Sequence, residues 1–487
     1  MLSSIGLEDF KSFRILEQLN IKPLTILCGA NSSGKSSILK SLLILKQSYE
    51  NSASNDTLTL NGIYSNNGFF SDVVHLQEGT FFKISNTFKI EDPYQGRSFL
   101  IAPTDTLQSY KALKKIYASK GQKVDSFEIT TDITFYENVS AASFKNAIIK
   151  SYIISIISII NGEKIKSNIS LERNGNSEKK FTLTWSNLPN TNIRFTSDKL
   201  SECHCYFYGL QLNNLYTERS SNTNLSETLP AIFSIFKIIS QQYKAISYLG
   251  PLRNAPARSY IYNEQLANTG VSGEYTAQLI IQNKKKKISG LLPPESDNLL
   301  LKEPEKVIFS DALDKWLEYL NIKNFQVENI SEFVKLKVFG DNIADVGFGI
   351  IQILPIITAG LCMNKEGTLL LEQPEIHLHP SLQMKIADFM LTLANQKKSI
   401  IVETHSDHII NRVVRRIMED DNGDLINNVA IYYVSKRGKE SNISTIRVDK
   451  YRGIVDAPDE FFTQYSNEVS QIMSIGLRNL QKKNEEK

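Results

Sequence analysis

The chain has 487 residues, 41 % of them apolar, and a net charge of +3. That is room for roughly two to four domains with a sizeable core, and it excludes a globally basic nucleic-acid binder, so any such surface is local. Four cysteines are too few for a disulfide framework in a chain this long and point to a reducing compartment. The polar start MLSSIGLEDFKSF is not a signal peptide, and the most apolar run, residues 152–160, is too short to span a bilayer. The expectation is a cytoplasmic protein with no membrane partner.

Residues 5–13 and 24–27 read as strands, and residues 35–49 as a helix with apolar positions at Ile38, Leu39, Leu42, Leu43 and Leu45. Between the second strand and the helix, Gly29-Ala30-Asn31-Ser32-Ser33-Gly34-Lys35-Ser36, followed by Ser37, fits G-x-x-x-x-G-K-S. Glycines allow backbone N–H groups to wrap a phosphate without Cβ clashes, and the helix start turns its positive end toward the same group. In such a loop Lys35 supplies charge to the β- and γ-phosphates of ATP, and the Ser36 hydroxyl ligates magnesium.

From about residue 81 to 207 the pattern becomes β-rich. Runs at 129–136, 151–160, 167–173 and 180–185 are separated by turn signals such as Asn161-Gly162 and Asn174-Gly175, which predicts an antiparallel sheet. Helices are expected at 229–243, 307–320, 350–359, 382–394 and 408–418, and strands at 325–328, 333–339, 429–434 and 444–448. Residues 248–262 (YLGPLRNAPARSYIY) read as a loop, and 464–487 as a terminal helix that frays into a charged tail.

Two buried strands end in acid. Residues 368–371 run into Glu372, Gln373, Pro374 and Glu375; a carboxylate at Glu372 can hold the nucleotide's magnesium. Residues 400–402 run into Glu403, and His405 beyond it is placed to reach a γ-phosphate or an attacking water. The Cys203-His204-Cys205 triplet lacks a second ligand pair for zinc. The run Lys284–Lys287 reads as a solvated loop with nucleic-acid phosphate as its alternative ligand. Arg253 and Arg258 are candidates to face phosphate or a partner, and Arg412, Arg415 and Arg416 read as a helix's charged face.

The order of these motifs resembles the ABC-type AAA ATPases of prokaryotes, in particular the branch with a short uncharacterised C-terminal domain. The resemblance rests on Gly29–Ser36, on DVGFGIIQILP from Asp345, on LLLEQPEIHLHP from Leu369 and on IIVETHSDHIINR from Ile400, with LEDFKSF and YLGPLRNAPARSY alongside. Relatives of this kind include ATPase subunits of anti-phage systems (Septu- and PARIS-like) and the ATPase half of OLD-family nucleases. The resemblance implies an α/β fold: an ABC-type P-loop NTPase head with a mixed central sheet and flanking helices, an antiparallel β-rich lobe and a helical subdomain. It implies the head in residues 1–80 and 341–448, the lobe in 81–210, the helical insert in 211–340 and a short C-terminal segment in 449–487.

By position, the resemblance makes Lys35 and Ser36 the phosphate and magnesium residues, Glu372 the Walker B acid and His405 the switch histidine. It makes Gly347-Phe348-Gly349 the core of a signature segment offered to the γ-phosphate of a second copy, in a head-to-head dimer or larger oligomer. Many ABC heads carry a serine in that core; here the expected contact is backbone N–H at a helix start. The usual catalytic glutamate after the Walker B acid is replaced by Gln373, which can orient water but cannot take its proton. Glu375 or His405 is then the substitute, and slow ATP hydrolysis with occupancy acting as a switch is expected. The magnesium-sensing glutamine has no clear match; Asp72, His75 and Gln77 lie in the right stretch. Residues 406–487 are too few for a Toprim-type nuclease of about a hundred residues and contain no DxD, so an effector nuclease is expected as a separate partner. The alternative is a RecF-like ATPase acting directly on DNA or RNA. A transporter motor is disfavoured by the long insert between residues 37 and 344.

Overall fold

The structure is a computed structural model that describes residues 1–51, 57–91, 104–118, 124–138, 146–175, 179–186, 203–217, 223–261, 268–289, 291–294, 306–364, 367–458 and 474–475. The expected terminal helix at 464–487 lies almost wholly outside the described residues.

The centre is a seven-stranded sheet in the order Ile246–Leu249, Thr368–Glu372, Ser399–Glu403, Leu24–Cys28, Val429–Arg437, Glu440–Asp449, Gly453–Val455. The first five strands run parallel and the last two are antiparallel. The short parallel strands are continuous apolar runs because both faces are covered. Alternate residues serve different cores: Leu24, Ile26 and Cys28 pack with the helices Phe309–Tyr319, Phe348–Cys362, Pro380–Asn395 and Asp407–Glu419, while Leu27, Leu370 and Ile401 face the helix Lys35–Glu50. That helix is buried along most of its length, pressed between the central sheet and a second sheet.

The second sheet has ten strands among the described residues and is wholly antiparallel. Its long strands Val124–Glu137 and Ala147–Ile160 alternate between buried and half-exposed positions over most of their length, at 127–136 and 151–160. The Asn161-Gly162 hairpin falls where it was expected, with Ile160 paired to Glu163. The N-terminal strands Leu2–Phe10 and Phe13–Asn20 also join this sheet, through Phe81–Glu91. The mixed head sheet, flanking helices and antiparallel lobe are as the sequence implied. Within 211–340 the strands expected at 325–328 and 333–339 form as Gln326–Ile330 and Phe333–Val338, and they build a small sheet with Tyr260–Ile261.

Three local expectations are corrected. The single strand at 5–13 is two strands reversing at Lys11-Ser12, with Phe10 paired to Phe13. The supposed loop from residue 248 begins inside a strand, because Tyr248 and Leu249 pair with Leu370 and Leu371. The arginines of the 408–418 helix are not all on a charged outer face. Arg416 is 1 % exposed, and both it and Arg412 clasp Asp388, itself fully buried, with Tyr319 donating a further hydrogen bond to it.

Candidate functional site

The loop after Leu24–Cys28 needs two glycines for steric reasons. Gly29 has φ +136°, and a Cβ there would lie 2.1 Å from the Val434 carbonyl oxygen. Gly34 has φ +111°, and its Cβ would meet the Ser441 and Ser12 hydroxyls at 2.4 and 2.7 Å. These are backbone conformations that only glycine adopts without strain. The hairpin Val429–Arg437/Glu440–Asp449 is clasped to the loop: the Ser441 hydroxyl donates to the Ser33 carbonyl, and the Ser441 N–H donates to the Ser12 carbonyl.

Lys35 is nearly buried at the first position of the helix and donates its ammonium to the Gly29 and Ala30 carbonyls at 3.0 and 2.7 Å. Burial lowers its pKa. The Ser36 hydroxyl donates to Glu403 Oε1 at 2.8 Å. The direct carboxylate partner of Ser36 is therefore Glu403. Glu372 stands opposite Glu403 in the parallel register, one strand farther out, and accepts from the Tyr248 hydroxyl at 3.0 Å. Burial, followed by the neighbouring Glu403 charge, raises Glu372 from 4.5 to about 7. Burial also raises Glu403, against the Ser36 hydrogen bond that pulls it down. One oxygen of Glu403, Oε2, is buried with no hydrogen-bond partner. A buried carboxylate oxygen without a donor, beside a serine hydroxyl, is a donor set suited to a hard divalent cation.

A cavity of about 680 Å³ opens over this loop, lined among others by Asn31, Ser32, Ser33, Lys35, Ser36 and Ser37. Gln373, Glu403 and His405 close one side, and Glu372 is not part of the lining. Burial, then the Lys35 charge, keeps His405 below the usual histidine range and hence neutral near pH 7. Gln373 has φ +44°, and its N–H donates to the Glu403 carbonyl at 2.7 Å. Glu375 is held in place: Oε1 accepts from the His405 N–H at 2.7 Å and Oε2 from the Thr404 hydroxyl at 2.8 Å. It fixes the histidine loop, and both of its oxygens already have donors.

Of the three residues considered for the magnesium-sensing position, Gln77 and Asp72 line the cavity. Asp72 also accepts from the Phe69 N–H at 2.8 Å, and His75 is buried with Nδ1 against the Lys11 carbonyl at 2.8 Å. Gln77 has a left-handed backbone, with φ +62°. Sequence reasoning missed Lys11, Ser12, Lys436 and Lys439, which also line the cavity. Lys11 and Ser12 were hidden by reading their turn as strand. The turn signal Lys436-Arg437-Gly438-Lys439 was present but carried no motif. Burial and the Lys40 charge lower Lys11 to about 8, with Asp72 pulling the other way.

Gly347 caps the helix Phe348–Cys362 with no side-chain cap, and a Cβ at Gly347 would meet nothing within 4 Å. The helix start therefore presents the bare N–H groups of Phe348 and Gly349, while the Ile350 N–H bonds back to the Gly347 carbonyl at 3.3 Å. Gly347 and Gly349 are not in the cavity lining; a Cβ at Gly349 would lie 3.5 Å from the His377 carbonyl oxygen. Arg258 pairs with Asp345 at 2.7 Å on the surface, and Arg253 is buried, donating to the Glu372 and Gln373 carbonyls and to the Gln352 side chain. His379 caps the helix Pro380–Asn395, and no cluster of three metal-ligating side chains occurs among the described residues.

The sequence matches the family model of the AAA ATPase domain over residues 1–410. No curated protein matches it significantly. Among solved structures, an Smc head bound to the C-winged helix domain of ScpA is similar, with a TM-score of 0.40 and 13 % identity over 92 % of this chain and 98 % of that one. An SMC head domain from Thermotoga maritima gives 0.36 and 10 % over 92 % and 99 %. An Smc head with an extended coiled coil, bound to the C-terminal domain of ScpA from Pyrococcus furiosus, gives 0.39 and 11 % over 92 % and 97 %. No helix among the described residues is long and apolar enough to cross a membrane.

Proposed function

Because the chain belongs to the AAA ATPase domain family, we propose that it binds ATP with magnesium on the Gly29–Ser36 loop and works as a slowly hydrolysing switch. The single observation that carries this is the site's construction: a glycine-dependent loop with Lys35 inside it and Ser36 joined to Glu403. In this reading Lys35 leaves the Gly29 and Ala30 carbonyls for the β- and γ-phosphates, and the loop N–H groups take the remaining phosphate oxygens. Ser36 and Glu403 hold the magnesium, with Glu372 behind them. Bound magnesium supplies neutralising charge on the phosphates. Gln373 and His405 face the water side of the γ-phosphate. Gln373 orients water and accepts no proton, and Glu375 is occupied by the histidine loop. Slow turnover follows from that arrangement.

The bare helix start at Gly347 lies away from the chain's own cavity, which suits a phosphate held by a second copy. ATP-driven self-association is therefore part of the reading. The order of motifs supports a finer role, control of a separate effector nuclease in anti-phage defence. The exposed run Lys284–Lys287 favours the second reading, direct action on nucleic acid.

The deciding experiment compares the parent with Lys35→Ala. The parent binds ATP with magnesium and turns over well below the ordinary range of about 1–100 per second for phosphoryl transfer; the variant loses binding. Equal ATP binding by both proteins, or turnover by the parent of tens per second, rejects the proposal.

A further inference from the structure

Arg253 lies in a loop fixed by backbone hydrogen bonds on either side, Gly250 N–H to the Val271 carbonyl at 2.8 Å and Asn254 N–H to the Ser272 carbonyl at 3.0 Å. Its side chain is 8 % exposed. One guanidinium nitrogen donates to Gln352 Oε1 at 3.3 Å and to the Gln373 carbonyl at 3.2 Å; the other donates to the Glu372 carbonyl at 3.1 Å. Nε is buried with no partner. Gln352 is itself 4 % exposed, one turn into the helix that begins after Gly347.

A buried cation of this kind is unusual, because among the described residues no carboxylate oxygen accepts from it. Its acceptors are two main-chain carbonyls at the end of the acidic strand and one amide on the glycine-led helix. From there the hydrogen bonds continue: the Gln373 N–H donates to the Glu403 carbonyl, and the Glu403 carboxylate accepts from Ser36. A planar fork with fixed directions holds three acceptors only in one arrangement. Any rotation of the helix against the strand breaks at least one of these bonds, and a desolvated guanidinium makes that loss costly.

We propose that Arg253 is a positioning residue that couples the glycine-led helix to the nucleotide site of its own chain. Through it, the state of Glu372, Gln373 and Glu403 sets the angle at which the bare N–H groups after Gly347 are offered to a second copy. This rests on the nucleotide and self-association reading above.

A chain of contacts is evidence of coupling only when both ends respond together, so the test uses full-length protein, ATP with magnesium, and amide hydrogen exchange. In the parent, ATP protects residues 29–36 and changes exchange at 347–352 as well. In Arg253→Met, ATP still protects 29–36, but 347–352 stay at their nucleotide-free rates and ATP-driven dimerisation weakens by about tenfold or more. Gln352→Leu, which leaves the cation in place, reproduces the loss at 347–352, and the double variant is no worse than either single one. Gln352→Leu carries the test should Arg253→Met not fold. A parent-like response at 347–352 in either variant, or fully additive effects, overturns the coupling while leaving ATP binding intact. Absence of ATP protection at 29–36 in the parent instead removes the nucleotide reading and the coupling with it.

Discussion

The Ser36 hydroxyl meets Glu403 at 2.8 Å, while Glu372, the acid that motif order singles out, stands beside Glu403 in register on the next strand. The two carboxylates end adjacent parallel strands, which lie about 4.8 Å apart. The Glu403 charge raises the cost of charging Glu372, and a divalent cation bound there would relieve it.

Removing either carboxylate is expected to weaken magnesium-dependent ATP binding, with Glu403→Gln the more damaging because Glu403 touches Ser36 directly. The magnesium midpoint for ATP binding should rise by about tenfold or more in Glu403→Gln, and by less in Glu372→Gln, the range seen when groups supporting a metal are removed. A magnesium titration followed by a fluorescent nucleotide checks this; the reverse order of effects would return the metal to Glu372.

The pH dependence of the nucleotide-free protein follows from Glu372. Its pKa in the fold, about 7, lies above the ordinary 4.5, chiefly through burial. The folded chain thus binds the proton more tightly than the unfolded one. The stabilisation is complete below about 4.5 and is lost as pH rises through about 7. Glu372→Gln keeps the shape and removes the charge. The variant should match the parent near pH 4.5 and exceed it at pH 8 by on the order of 1–3 kcal/mol. Denaturant melts at the two pH values, without ATP or magnesium, measure the difference. A parent whose advantage grows with pH contradicts the shift.

Gly29→Ala is expected to be strained at both ends: φ +136° disfavours any side chain, and the new methyl would lie 2.1 Å from the Val434 carbonyl oxygen. The variant should lose on the order of 1–3 kcal/mol of stability and bind ATP poorly, because the loop must move away from the hairpin. A thermal melt and a nucleotide titration that both match the parent would contradict the close approach.

Asp388→Asn tests the clasp between the helices Pro380–Asn395 and Asp407–Glu419. Asp388 is fully buried and, although burial works against its charge, Arg412, Arg416 and Tyr319 hold its carboxyl below the usual range. Asparagine leaves Arg416 buried beside a neutral group. The expected loss is about 3–5 kcal/mol, read by denaturant unfolding with ATP absent; a loss near zero would mean the guanidinium finds water instead.

Much of this was legible in the sequence because it is local. The phosphate loop, its strand and its helix lie within residues 24–50, and the two acid-ended strands announce themselves as apolar runs. The identity of the acid beside Ser36 was not legible, since it depends on strand order: Ser399–Glu403 lies between Thr368–Glu372 and Leu24–Cys28. Lys11 and Ser12 were lost for a similar reason. Apolar residues flank a tight reversal on both sides, and Phe10 and Phe13 read as one strand until they pair with each other. Arg412 and Arg416 follow helical spacing that suits a solvated face, and only the placement of Asp388 on the neighbouring helix turns them inward.

The clasp between Ser441 and Ser33 joins positions 408 residues apart, and it has a bearing on how the protein is made. On the ribosome the strand Leu24–Cys28 emerges long before its two sheet neighbours, Ser399–Glu403 and Val429–Arg437. The glycine turn therefore waits, without its supporting hairpin, until Ser441 has been made. A chain ended before that hairpin lacks the neighbours that hold the glycine turn against the sheet.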